Sequence, residues 1–209
     1  MTTRIKICGI TRVQDVEPCA RYGADAIGLV FYPPSPRFVS LERANEIIRA
    51  TPPFLSVIGL FVNPNVKEVN KIIKNVPLCA LQFHGDESSE FCGKFSLPYI
   101  KAARVKPGLD LPNYAKKYFT AQGILLDADT DGYGGGGKVF DWTLIPSRLP
   151  LPIILSGGLN ADNVATAIRR IHPWAVDVSS GVESAKGIKD SAKIAAFIKE
   201  IKGTDHANV

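Results

Sequence analysis

Short apolar runs rich in Ile, Val and Leu recur along the chain at residues 4–8, 26–31, 55–61, 80–83, 99–103, 123–127, 153–155 and 175–178. Their length and the turn residues around them predict eight β-strands. Between the runs the apolar period changes. Val66, Val69, Ile73 and Val76 make one helical stripe, Val164, Ile168 and Ile171 a second, and Ile194, Phe197, Ile198 and Ile201 a third. Strand and helix therefore alternate, which demands parallel strands joined by right-handed crossovers. Eight such units predict an α/β protein of the closed (β/α)8 TIM-barrel type, one domain over residues 1–209. An open doubly wound sheet is the alternative, but Cys8-Gly9-Ile10-Thr11 stands after the first strand where a GxGxxG turn would be expected. The polar stretch from Gly203 to Val209 predicts a frayed tail.

Alternate residues of a barrel strand face the lumen, so parity assigns side chains to faces. Ile5 and Ile7 belong against helices, which puts Arg4, Lys6 and Cys8 on the inner face. The same rule turns Gln82 and His84, Leu125 and Asp127, and Ala175 and Asp177 inward. The polar members collect at the C-terminal strand ends, where barrel active sites are assembled.

Composition adds constraints. With 45% hydrophobic and 22% charged residues, the 209-residue chain reads as an ordinary soluble globular protein. The net charge of +5 is spread without a basic block or interleaved aromatics, so a small anionic substrate explains it better than nucleic acid. No apolar run approaches membrane-spanning length. Cys8, Cys19, Cys79 and Cys92 form no CxxC pair and no secretory signal precedes them, which predicts reduced thiols in the cytoplasm and no metal site. A barrel of this size is expected as a monomer or a homodimer.

The glycines of Ser156-Gly157-Gly158-Leu159 and Ser179-Ser180-Gly181-Val182 follow strands seven and eight and lead towards helices. Either pair alone reads equally well as a tight turn. At these two loops together they predict a phosphate site of exposed backbone N–H groups, with Asn160 or Asp162 as candidate helix caps. Cys8 is a small buried hydrophobe on the bland reading. At a polar strand tip it is a candidate base, with Lys6 placed to stabilise a thiolate. Asp127 either caps a loop or, desolvated at the rim of an apolar lumen, donates a proton. A base and an acid across one barrel mouth suit an isomerisation. His84 is either a loop-start hydrogen-bonder or a substrate contact, beside Gln82 on the same face. Arg37, on a loop stiffened by Pro33, Pro34 and Pro36, offers a guanidinium fork to a substrate carboxylate. The glycine-rich tract at residues 131–138 reads as a simple linker or, favoured by its place after Asp127, a mobile lid.

The ordered blocks Lys6-Ile7-Cys8-Gly9-Ile10-Thr11, Phe31-Tyr32-Pro33 with Ser35 and Arg37, Gly59-Leu60-Phe61-Val62-Asn63, Leu81-Gln82-Phe83-His84-Gly85, Leu125-Leu126-Asp127 and residues 134–142, 155–160 and 176–183 together resemble the phosphoribosylanthranilate isomerase family. The resemblance runs from Ile5 to about Ile201. It implies an Amadori rearrangement of N-(5-phosphoribosyl)anthranilate in tryptophan biosynthesis, with no cofactor. It further implies Cys8 as general base, Asp127 as general acid, Arg37 on the anthranilate carboxylate and Asp177 on the bridging nitrogen. Gly157, Gly158, Ser180 and Gly181 match phosphate-binding positions. Gly136 and Val139 depart from the family, which often has Ser or Thr there. Two other readings stand beside this one. A sibling barrel acting on the aminosugar of histidine synthesis would lean on paired aspartates rather than a cysteine, and a non-catalytic sugar-phosphate binder would need neither proton-transfer group.

Overall fold

All eight apolar runs become strands because each can bury both faces, one in the lumen and one beneath a helix. The computed structural model describes residues 2–128 and 140–207. Strands β1 (Arg4–Cys8), β2 (Ala26–Val30), β3 (Ser56–Phe61), β4 (Ala80–Phe83), β5 (Tyr99–Val105), β6 (Gly123–Ala128), β7 (Ile153–Leu155) and β8 (Ala175–Val178) pair in order, and β1 closes on β8. β5 runs past its apolar stretch because Arg104 and Val105 continue the ladder opposite Asp127 and Ala128.

The outer layer comprises α1 (Val16–Tyr22), α2 (Leu41–Arg49), α3 (Val66–Asn75), the single turn α4 (Ser89–Cys92), α5 (Leu111–Lys117), α6 (Val164–Ile171) and α7 (Ser191–Ala207). Starts are fixed by side chains. Ser40 accepts from the Arg43 amide at α2, and Asn65 and Glu68 close a reciprocal capping box at α3. Neither Asn160 nor Asp162 caps α6. That helix starts one turn later, after Asn163, and Asn160 Oδ1 instead accepts from Asp162 N and Asn163 N in the preceding turn. Between β6 and β7 the described residues hold a 3₁₀ turn at Trp142–Leu144. The glycine tract expected to be a linker or lid, with Gly136 and Val139, lies outside the described residues.

Two further differences concern the C-terminal quarter. The chain after β8 forms a small antiparallel hairpin, β9 (Glu183–Ala185) and β10 (Ile188–Lys189), before entering α7. The frayed tail expected from Gly203 is instead helical to Ala207. Thr3 N and Oγ1 both donate to the Asp205 carboxylate, at 2.8 and 2.9 Å, and stitch the end of α7 to the start of β1. Ile194, Phe197, Ile198 and Ile201 are all buried, so the apolar stripe carries the helix against the barrel.

The lumen is plugged. Ala26, Ile58, Ile100, Ala102, Leu125, Ile154 and Ala175 form a closed apolar cluster inside the strands, as expected of a packed barrel rather than a pore. Parity was right for Lys6 and Cys8, whereas Arg4 sits at the opposite rim, exposed and paired with Asp25 at 2.9 Å. Everything polar above the plug faces the C-terminal mouth.

Candidate active site

Three buried charge clusters stand around the mouth. In the first, Lys6 Nζ donates to both oxygens of Asp177, at 3.0 and 2.9 Å, across the β1–β8 ladder in which these two residues are direct neighbours. Cys8, one inward position further along β1, lies beside the same ammonium. Gly28 on β2 makes this possible, since a Cβ there would lie 2.7 Å from Cys8 Sγ and 3.1 Å from Lys6 Nζ.

Burial pushes the Cys8 thiol above its ordinary value, and the attraction of Lys6 only partly offsets that. Lys6 does favour the thiolate, by its charge and by a hydrogen bond to Cys8, but burial first and the Asp177 charge second outweigh it. For Lys6 itself burial works against the charge, yet Asp177 and Cys8 outweigh it and its pKa is raised. Two results are expected. Cys8 should alkylate with a midpoint above that of an ordinary thiol, and Lys6→Met should move the midpoint higher still. A Cys8 midpoint indifferent to Lys6→Met would mean that the two groups do not interact.

The second cluster spans β4 and β6. His84 Nε2 lies 3.1 Å from Asp127 Oδ2, and its Nδ1 lies 3.2 Å from the Gln82 amide nitrogen. With that amide donating, the ring is assigned its proton on Nε2 and donates it to Asp127. Asp127 Oδ1 also accepts from Ala128 N at 2.9 Å. The Gln82 amide oxygen is buried with no hydrogen-bond partner, an acceptor that a donor on a bound molecule would satisfy. Asp177 feels the charge of Asp127, so the first two clusters share one electrostatic field.

The third cluster holds Arg37. Its Nε and Nη2 grip Glu183 Oε1 and Oε2 at 2.7 and 2.8 Å. Lys189 Nζ reaches Glu183 Oε1 at 2.8 Å. The loop arginine of the sequence is therefore not a surface group but 7% exposed and clamped.

The glycines after β7 and β8 are needed where they stand. Gly157 and Gly158 have φ of +81° and +67°, and a Cβ at Gly157 would lie 2.8 Å from Ala128 N and 3.1 Å from Asp127 Oδ1. A Cβ at Gly181 would collide with Leu159 O. Thus Ser180 and Gly181, in the 3₁₀ turn at Ser180–Val182, are pressed against the loop that carries Gly157 and Gly158. The two glycine loops form one continuous wall beside Asp127.

Sequence reasoning missed the support beneath the second cluster. Lys101, on the helix-facing side of β5, is fully buried and donates to Gly85 O, Glu87 Oε2 and Phe83 O at 2.7, 3.1 and 3.3 Å. Glu87 in turn accepts from Asn63 N at 2.7 Å and from Gly85 N. This pair binds the loops after β3 and β4 together directly behind His84. The signal was present, as a lysine at an outward position of an otherwise apolar strand. Gly28, Glu183 and Lys189 were also passed over, and for Lys189 no local pattern marks it. Among the described residues no cluster of His, Cys, Asp and Glu is arranged to hold a metal ion, and no helix is long and apolar enough to cross a membrane.

Comparison with known proteins agrees with this arrangement. Residues 5–200 match the family model for N-(5'-phosphoribosyl)anthranilate isomerase. The enzyme of that name from Dechloromonas aromatica is 56% identical over 207 residues, covering 99% of this chain and 100% of its own. The crystal structure of phosphoribosyl anthranilate isomerase from Thermotoga maritima superposes with a TM-score of 0.90 at 45% identity, covering 97% and 100% of the two chains. A crystal structure of this isomerase in complex with reduced 1-(o-carboxyphenylamino)-1-deoxyribulose 5-phosphate gives 0.86 at 42% identity, with 97% and 100% covered. With the barrel, the ordered strand-tip residues and these matches in agreement, the chain belongs to the N-(5'-phosphoribosyl)anthranilate isomerase family.

Proposed function

We propose that this barrel converts N-(5'-phosphoribosyl)anthranilate to 1-(2-carboxyphenylamino)-1-deoxyribulose 5-phosphate in tryptophan biosynthesis, with Asp127 as general acid and Cys8 as general base. The observation that carries the assignment of roles is the placing of these two groups on β6 and β1, both inward, both buried, with Asp177 on β8 between them.

Asp127 protonates the furanose ring oxygen and the sugar opens to a Schiff base. The carboxylate left behind accepts from His84 Nε2 and Ala128 N, and the proton released from the C2 hydroxyl on tautomerisation restores the acid. Cys8 then removes the proton from C2, giving an enolamine that tautomerises to the ketone. The base acts as thiolate, and Lys6 beside it offsets part of the cost of that charge in a buried site. Asp177, held by Lys6, accepts from the bridging nitrogen, and Gln82 and His84 complete the sugar contacts. Arg37 takes the anthranilate carboxylate through the edge of its guanidinium that Glu183 leaves open. Gly157, Gly158, Ser180 and Gly181 receive the phosphate on backbone N–H groups, and a side chain at Gly157 or Gly181 would press on Ala128 or Leu159 and shift the loops that present those groups.

We further infer that the chain works as one barrel domain in the cytoplasm, with its four cysteines as free thiols, on a small phosphorylated substrate and without nucleic acid or membrane, as a monomer or a homodimer. Phe54, fully exposed on the loop between α2 and β3, lies at the end of the barrel opposite the mouth. Pairing through that end would leave the site open. The test of the reaction is consumption of freshly made phosphoribosylanthranilate, followed by its fluorescence. Rapid loss of signal is expected, and a folded protein that leaves the substrate intact would overturn the assignment.

A further inference from the structure

We propose that Glu183, backed by Lys189, is a positioning residue that makes the site selective for a substrate bearing a carboxylate, by holding the guanidinium of Arg37 in one orientation at the mouth. This rests on Arg37 as the carboxylate binder.

The side chain of Arg37 comes from the loop after β2 and crosses the tip of β1 to reach Glu183 at the start of β9. It passes over Gly9, which has φ +77° and at which a Cβ would lie 2.5 Å from Arg37 Cδ. An arginine with this freedom of rotation would be a poor recognition element, because ordering its long side chain costs conformational entropy at every binding event. Glu183 removes that freedom in advance. Its two oxygens take Nε and one hydrogen of Nη2, and the planar fork then keeps one Nη1 hydrogen and the second Nη2 hydrogen side by side along its end for another carboxylate.

Glu183 alone would neutralise the arginine it orients. Lys189 prevents this. Its ammonium, fully buried, donates to Glu183 Oε1 at 2.8 Å and to Ser179 O at 3.1 Å. The cluster thus joins two cations to one carboxylate and keeps one positive charge for an incoming anion. The pKa of Glu183 is lowered: burial opposes its charge, but Arg37 and Lys189 outweigh that. Ser179 Oγ donates to Cys8 O at 3.0 Å, so the same cluster is tied to the strand tip that carries the base. The hairpin β9–β10, which has no counterpart in the simple strand–helix alternation, brings Glu183 and Lys189 together.

A carboxylate contact made equally in the bound substrate and the transition state appears in KM rather than kcat. The experiment compares phosphoribosylanthranilate with its aniline analogue, which lacks the ring carboxylate, on the parent and on Glu183→Gln, Lys189→Met and Arg37→Met. For Glu183→Gln, kcat/KM on the carboxylated substrate should fall about tenfold or more, mainly through KM, with a much smaller fall on the analogue. The preference for the carboxylated substrate then collapses towards that of Arg37→Met. Lys189→Met should lower the preference in the same direction, and it carries the test if Glu183→Gln does not fold. Equal losses on both substrates, with the preference intact, would overturn the proposal. If Arg37→Met itself keeps the parent's preference, the carboxylate reading of Arg37 fails, and this inference falls with it.

Discussion

Cys8→Ala and Asp127→Asn should each lower kcat by about 10²–10⁴-fold, the range for removing one positioned proton-transfer group. KM should change far less, because neither group is the main anchor of phosphate or carboxylate. Both substitutions are conservative in volume, and the surrounding structure has what it needs to persist. Gly28 and Lys6 pack against Cys8, and the amide introduced by Asp127→Asn keeps the carboxylate's shape and one acceptor for Ala128 N. The measurement is steady-state kinetics on protein shown to be folded. Acid and base act on successive steps of one turnover, so the double variant should lose much less than the product of the single losses. Full activity in either single variant would remove that residue from the mechanism.

The second large effect concerns stability. Lys101→Met should destabilise the protein by roughly 3–5 kcal/mol, the usual cost of leaving one partner of a buried ion pair alone. For a chain of this size that corresponds to a fall in Tm of roughly 6–20 °C. The cost has a clear origin, because Glu87 is buried and would keep its charge with only backbone donors from Asn63 and Gly85. Glu87→Gln in the same chain should restore part of the loss, since removing both charges is cheaper than removing one. Thermal unfolding of the two single variants and the double variant checks this. Strict additivity would mean that the pair does not couple.

The barrel was legible in the sequence because its strands are apolar on both faces and its turn residues are sharp. Parity then carried the reading into the site, and it placed Lys6, Cys8, Gln82, His84, Asp127 and Asp177 inward from spacing alone. Spacing could not show what those groups do to one another. Lys6 was read as a partner for Cys8, but it is shared with Asp177, far along the chain and adjacent only through closure of the barrel. Arg37 was legible as a guanidinium near the mouth, yet its clamp comes from a hairpin whose two short strands carry no hydrophobic pattern to announce them. Lys101 and Glu87 were missed for a related reason. A buried charge looks like an error in an apolar strand until its partner is known, and that partner lies in the loop after the neighbouring strand's tip. The tail failed differently, since its polarity concealed an i, i+4 helix continuation held from outside by Thr3.

The most direct test of the central claim is a single-turnover reaction on phosphoribosylanthranilate carrying deuterium at C2, with enzyme in excess and release of the label to water followed over time. The parent protein should release the label as the anthranilate fluorescence disappears, and Cys8→Ala should retain it on that timescale. Retention of the label by the folded parent, or release by Cys8→Ala at the parent's rate, would contradict the account.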